Sequence, residues 1–135
     1  MNKKIKALIA VGGTGGHVFP GINLASALNE KNYSVKILTD KRGYKFFKET
    51  DKKNVLVFPS SPLIKKNVVL LIFSLSLILY SILRSLIFLS YNRPSIIFGM
   101  GGYASFPICI AAAILRIKFI IYENNLIIGR ANKKL

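Results

Sequence analysis

The sequence is poor in the groups most chemistry needs. Its 135 residues include one cysteine, one histidine and five acidic residues. A lone Cys109 excludes a disulfide framework within the monomer and fits a reducing compartment. No histidine or carboxylate cluster suggests a metal, so neither a metal nor a cofactor is expected. No zinc-finger or RNA-binding pattern occurs, which argues against nucleic acid as a partner. Internal repeats, low-complexity linkers and domain boundaries are also missing. Met1-Asn2-Lys3-Lys4 imitates the basic start of a signal peptide. The apolar run behind it is short, ends in glycines and offers no clear cleavage site. It reads as a strand, and the chain is expected to stay in the cytoplasm.

What the chain has in excess is apolar and basic residues. Hydrophobic residues make up 52%, enough for one domain with a real core over residues 1–135. Twenty Lys and Arg leave a formal net charge of +15. That charge points to anionic lipid or a phosphorylated substrate, or to a compositional bias, since Lys, Asn and Ile are all abundant.

Two glycine clusters stand out. Gly12-Gly13-Thr14-Gly15-Gly16-His17 follows the apolar run Ile5–Val11, and Gly99-Met100-Gly101-Gly102-Tyr103 follows Ser95–Phe98. Each sits where a buried strand would hand over to a helix, so bare N–H groups could approach a phosphate-rich ligand. Further strands are expected at Ser34–Leu38, Val55–Phe58 and Lys118–Tyr122. Helices are expected over His17–Glu30, with Pro20 in the first turn, and over Ser105–Leu115 and Ile128–Leu135. Lys41–Thr50 reads as a charged helix or loop. The alternation predicts an α/β fold, a Rossmann-like doubly wound parallel sheet with ligands beyond the carboxyl ends of its strands.

Val68–Leu89 carries a single charge, Arg84, and nearly reaches transmembrane length. A span would put the second glycine loop across the bilayer from the first. Asn67, Ser74, Ser81, Ser85 and Asn92 fall on one narrow helical stripe, and the rest of the circumference is apolar. The favoured reading is a crossover helix that packs on the sheet and offers apolar surface to an anionic membrane. Lys65 and Lys66 precede it, and Arg84 and Arg93 would meet lipid phosphates. Burial by a partner domain and a true span are the alternatives.

Three chemistries compete for the first loop. A Walker loop fails, because His17-Val18 stands where Lys-Ser/Thr is needed. A dinucleotide fingerprint lacks its third glycine, although Asp40 could mimic the ribose-binding acid. A nucleotide-sugar transferase would use His17 as base, since a helix start favours the uncharged ring. Capping or packing is the plainer role for His17.

Gly12–Pro20, reading GGTGGHVFP, resembles the signature of the MurG family of N-acetylglucosamine transferases. Gly99–Tyr103 with Ser105 and Pro107 resembles that family's second loop, usually GGYVSGP. Glu123-Asn124-Asn125, then Gly129 and Asn132, resembles its E-Q-N-x-x-x-G-x-x-N motif. The three occur in order, at matching spacing, over essentially the whole chain. The resemblance implies the N-terminal half of a GT-B glycosyltransferase. It implies inverting transfer from UDP-N-acetylglucosamine to undecaprenyl-pyrophosphoryl-N-acetylmuramoyl-pentapeptide, in peptidoglycan synthesis. GT-B enzymes generally need no metal.

Site roles follow from the same resemblance. His17 would be the base, and Thr14, Gly15, Gly16 and Asn125 would touch the donor. Gly12, Gly13, Gly101, Gly102 and Tyr103 would hold the acceptor and its pyrophosphate. Glu123 is the alternative base, or has a structural role bonding backbone amides near the first loop. The enzyme would sit peripherally on the cytoplasmic face of the inner membrane. Most donor contacts would come from a C-terminal half, so a separate C-terminal chain is an implied partner, and a non-catalytic acceptor-binding subunit is the alternative. Three positions depart from the family pattern: Asn124 replaces glutamine, Tyr122 stands where histidine is common, and Phe106 replaces a glycine.

Overall fold

The structure, a computed structural model, describes residues 5–62 and 67–123. Its frame is one sheet of five parallel strands in the order β3-β2-β1-β4-β5. The strands are β1 (Lys6–Ala10), β2 (Ser34–Thr39), β3 (Val55–Val57), β4 (Ile96–Gly99) and β5 (Phe119–Ile121). Ala7 lies opposite both Val35 and Ile96, so β1 is the central strand. Its Ala7, Leu8, Ile9 and Ala10 are all buried, as a strand covered on both faces requires. The expected doubly wound parallel architecture is present.

Helices cover both faces. α1 (Gly15–Glu30) sets Val18 and Ala25 against Ile9, Val11, Val35 and Ile37. α2 (Lys41–Tyr44) is a single turn after β2. α3 (Val68–Asn92) and α4 (Ser105–Ile114) share the other face, where Leu89, Ile108 and Cys109 meet Leu8, Leu38 and Ile97. Burial pushes the Cys109 thiol up to about 12, which leaves it an inert packing group.

Three expectations need correction. α1 begins at Gly15, two residues before His17, so Pro20 falls in its second turn and removes one intrahelical N–H. The helical part of the Lys41–Thr50 segment stops at Tyr44, beyond which Phe47 turns into the core. The crossover helix runs on to Asn92, one residue before Arg93-Pro94 ends it. The helix expected over Ile128–Leu135 lies outside the described residues, as do Lys65 and Lys66.

α3 reverses the usual amphipathic order. Its buried residues are Ser74, Ser81, Ser85 and Leu89, while Ile72, Phe73, Leu75, Leu79, Leu83 and Ile87 are exposed. Serine is small, so the helix axis can lie close to α4 and the loop after β3. The hydroxyls find local acceptors: Ser74 donates to the Leu70 carbonyl at 2.8 Å and Ser81 to the Pro59 carbonyl at 2.8 Å. Only the buried Ser85 Oγ has no hydrogen-bond partner on this stripe.

By length and composition α3 could cross a membrane, the one such helix among the described residues, and only 17% of its most apolar stretch is buried. Yet it connects β3 to β4, and both strands belong to the same sheet. It therefore packs its inner side along the sheet's face. It is not buried on all sides within this chain. Arg84 stacks over the Phe58 ring at 4.4 Å, and Arg93 donates to the Leu115 carbonyl at 3.0 Å, so both flanking arginines already have protein partners.

Candidate active site

The strand order reverses direction between β1 and β4, which are neighbours in space but not in sequence. Loops leaving such a pair part to opposite faces and open a crevice at the carboxyl edge. Both glycine clusters are the loops that leave this pair. They leave side by side: the Met100 N–H, just past β4, donates to the Ala10 carbonyl at the end of β1 at 2.7 Å.

The two loops touch. A Cβ on Gly12 would lie 3.0 Å from the Gly101 carbonyl oxygen, 3.0 Å from Gly102 Cα and 3.3 Å from His17 Nδ1. Gly102 has φ +79°, and a Cβ there would come within 2.7 Å of Gly12 Cα. Only glycine permits this backbone at this separation. The first loop, the second loop and the imidazole thus close on Gly12 with no room for a side chain.

Thr14 is the N-cap residue of α1, but its hydroxyl does not cap the helix. It bonds His17 Nδ1 at 2.8 Å instead. When Nδ1–H is the donor, Nε2 keeps a free lone pair, the tautomer a general base requires. The Gly15 and Gly16 N–H groups precede the first intrahelical acceptor, as at every helix start, and a Cβ on Gly16 would meet nothing within 4 Å. His17 is half-buried and Tyr103 is 39% exposed, so both are accessible at this edge. Glu123 lies two residues beyond β5, and the Tyr122 N–H between them donates to the Gly99 carbonyl at the end of β4 at 2.8 Å. Asn125 lies outside the described residues, as do Asn124, Gly129 and Asn132. Among the described residues no three His, Cys, Asp or Glu side chains gather as a metal site would need.

Asp40 does not serve as a ribose acid. It is 4% exposed, and both its oxygens are occupied. Oδ1 accepts from the Arg42 and Gly43 N–H groups, each at 2.9 Å. Oδ2 accepts from Arg42 Nε at 3.1 Å, Arg42 Nη2 at 2.7 Å and Ser60 Oγ at 2.7 Å. Burial works to raise its pKa, but the Gly43 amide, the Ser60 hydroxyl and the Arg42 guanidinium together hold it below the usual 3.8. The dinucleotide reading loses its acid here. Sequence reasoning missed Arg42, whose only signal was an Asp two residues ahead of it at the start of a short turn.

A shallow, mostly apolar pocket lined by Lys6, Ser34, Lys36, Phe88, Asn92 and Pro94 opens at the opposite, amino end of the strands. It shares no residue with the glycine loops and is no part of this site.

A Rossmann-like parallel sheet with facing glycine loops at its switch point is the architecture of a nucleotide-binding α/β domain. The description Glycosyltransferase family 28 N-terminal domain matches residues 7–135, and the chain belongs to that family. Curated relatives are named UDP-N-acetylglucosamine–N-acetylmuramyl-(pentapeptide) pyrophosphoryl-undecaprenol N-acetylglucosamine transferase. The one from Pelagibacter ubique is 38% identical, covering 98% of this chain and 36% of the relative. The one from Wolbachia sp. subsp. Brugia malayi is 41% identical, covering 93% of this chain and 34% of the relative. The crystal structure of Acinetobacter baumannii MurG superposes with a TM-score of 0.75 at 23% identity, over 96% of this chain and 38% of that one. The chain therefore spans about a third of the length of the relatives it matches.

Proposed function

We propose that this chain is the acceptor-binding half of a MurG-type transferase. The reaction moves N-acetylglucosamine from UDP-N-acetylglucosamine to undecaprenyl-pyrophosphoryl-N-acetylmuramoyl-pentapeptide. The observation that carries this reading is the contact of the two glycine loops beside the chain's lone histidine. Thr14, Gly15 and Gly16 contribute to the donor side, together with Asn125. Gly12, Gly13, Gly101, Gly102 and Tyr103 cradle the acceptor and its pyrophosphate through backbone N–H groups and the positive end of α1. The acceptor hydroxyl attacks the anomeric carbon from the face opposite UDP, inverting that centre. His17 accepts the proton as the bond forms, while Thr14 holds the ring's orientation. Glu123 has a structural, supporting role. The remainder of the donor site belongs to the part of the relatives that this chain does not match.

The exposed face of α3 docks on the cytoplasmic surface of the membrane that carries the acceptor. Its exposed leucines, isoleucines and phenylalanine enter the lipid, and the chain's positive charge favours anionic headgroups. Head and tail of one lipid-linked substrate would then meet two surfaces of the same domain.

The test is transfer activity with a relative's C-terminal domain supplied in trans. His17→Ala should lower turnover by ~10²–10⁴ with an unchanged melting temperature. Wild-type turnover in that variant would remove His17 as the base. No transfer by wild-type protein with the added domain, but retained acceptor binding, would favour the non-catalytic subunit.

A further inference from the structure

The proposed reaction leaves one constellation unused. Asp40 is almost completely buried, yet it holds a side chain that is 55% exposed, Arg42. Burying a carboxylate is costly unless its oxygens are satisfied, and here five donors reach them. Two of those donors, Nε–H and one Nη2–H, come from the guanidinium itself. Arginine carries five such N–H groups, so three remain uncommitted to Asp40. The location is specific: a Cβ on Gly13 would lie 2.8 Å from Arg42 Nε and 2.5 Å from Asp40 Oδ1. The guanidinium therefore rests directly against the first glycine loop, and Gly13 has no side chain so that it can.

We infer that Arg42 is an anion-binding residue of this site, directing its remaining N–H groups at the diphosphate of the acceptor, with Asp40 as its positioning residue. The inference rests on the proposed reading of the glycine loops as a diphosphate seat and adds a cationic side chain fixed against the first of them. Because Asp40 cancels much of the charge, the contribution of Arg42 is directional. A forked donor held in one orientation loses little freedom when a phosphate arrives. A purely structural ion pair, tying the α2 turn to the end of β2, is the competing account. That account predicts wild-type anion affinity in a folded Arg42→Gln, and a third, point-charge account differs from the inference in the sign of one variant. If only charge mattered, Asp40→Asn would tighten anion binding by removing a nearby negative group. If orientation matters, the same change weakens it, because the guanidinium is released while its charge stays.

The experiment titrates the 135-residue chain with inorganic pyrophosphate, geranyl diphosphate and UDP by calorimetry, and records a melting temperature for each variant. The variants are Arg42→Gln, Arg42→Lys, Asp40→Asn and, as a charge control at the far end of α1, Lys31→Gln. The expected result has four parts. Arg42→Gln weakens pyrophosphate and geranyl diphosphate about tenfold or more. Arg42→Lys recovers part of that loss. Asp40→Asn weakens both ligands, and Lys31→Gln leaves them unchanged. Should Arg42→Gln not fold, Arg42→Lys and Asp40→Asn carry the same discrimination. Unchanged or tighter binding in Asp40→Asn, or wild-type affinity in a folded Arg42→Gln, overturns the inference and leaves the loop reading standing. An effect confined to UDP overturns its assignment to the acceptor. No binding of pyrophosphate or geranyl diphosphate by the wild-type chain overturns the loop reading itself.

Discussion

The carboxyl edge of the sheet and the outer face of α3 are built by opposite rules. At the edge, a Cβ on Gly12 would lie 3.0 Å from Gly102 Cα and 3.3 Å from His17 Nδ1, so one added methyl group has nowhere to go. On α3, Leu79 is 58% exposed, Leu83 51% and Ile87 62%. The first surface is specific because backbone holds it. The second is extensive but unspecific, which suits a fluid partner such as lipid better than a shaped one. A substrate with a charged head and a long apolar tail needs one of each.

Breaking the edge should have the largest effect. Gly102→Ala puts a Cβ 2.7 Å from Gly12 Cα at φ +79°, so the loops must part. With the C-terminal domain of a relative supplied, transfer should fall by about 10²-fold, the scale of an ångström-sized misplacement. Changing the α3 face should matter less and elsewhere. Leu79→Glu together with Leu83→Glu should reduce sedimentation with anionic vesicles by roughly tenfold per residue, from the lost burial of each side chain. Thermal stability should hardly move, because both positions face outward. A collapse of stability instead would mean that this face is buried against protein.

The inner face of α3 sharpens the contrast. Ser81→Leu should destabilise by ~1–3 kcal/mol in a chemical melt, because it overfills a contact that only serine fits and removes the bond to Pro59. The smallest effect is on pH. Asp40 has its folded pKa depressed, so its stabilisation is complete above the ordinary 3.8 and is lost as pH falls through the lower folded value. The chain has only five acidic residues, so Asp40→Asn should visibly flatten the acid limb of melting temperature against pH.

Much of this architecture was legible in the sequence. Apolar runs bounded by glycine and proline marked all five strands to within about two residues, because strands buried on both faces leave no other pattern. The pairing of the glycine loops followed from their place after two such strands. The direction of α3 was not legible. A stripe of Ser and Asn normally faces water, and only the tertiary packing shows that small side chains, not polar ones, were what the inner face needed. Asp40 was misleading for a related reason. An acid at the end of β2 fits a ribose ligand by position, yet burial and five donors make it a strut for Arg42. Sequence spacing locates a carboxylate but says nothing of how many donors already reach it.

The account stands on two loops acting as one seat for a diphosphate. Amide NMR of the chain titrated with geranyl diphosphate tests this most directly. The N–H signals of Gly12, Gly13, Gly15 and Gly16 should shift together with those of Gly101, Gly102 and Tyr103, along one saturation curve. Shifts in one loop alone, or in neither, would contradict it.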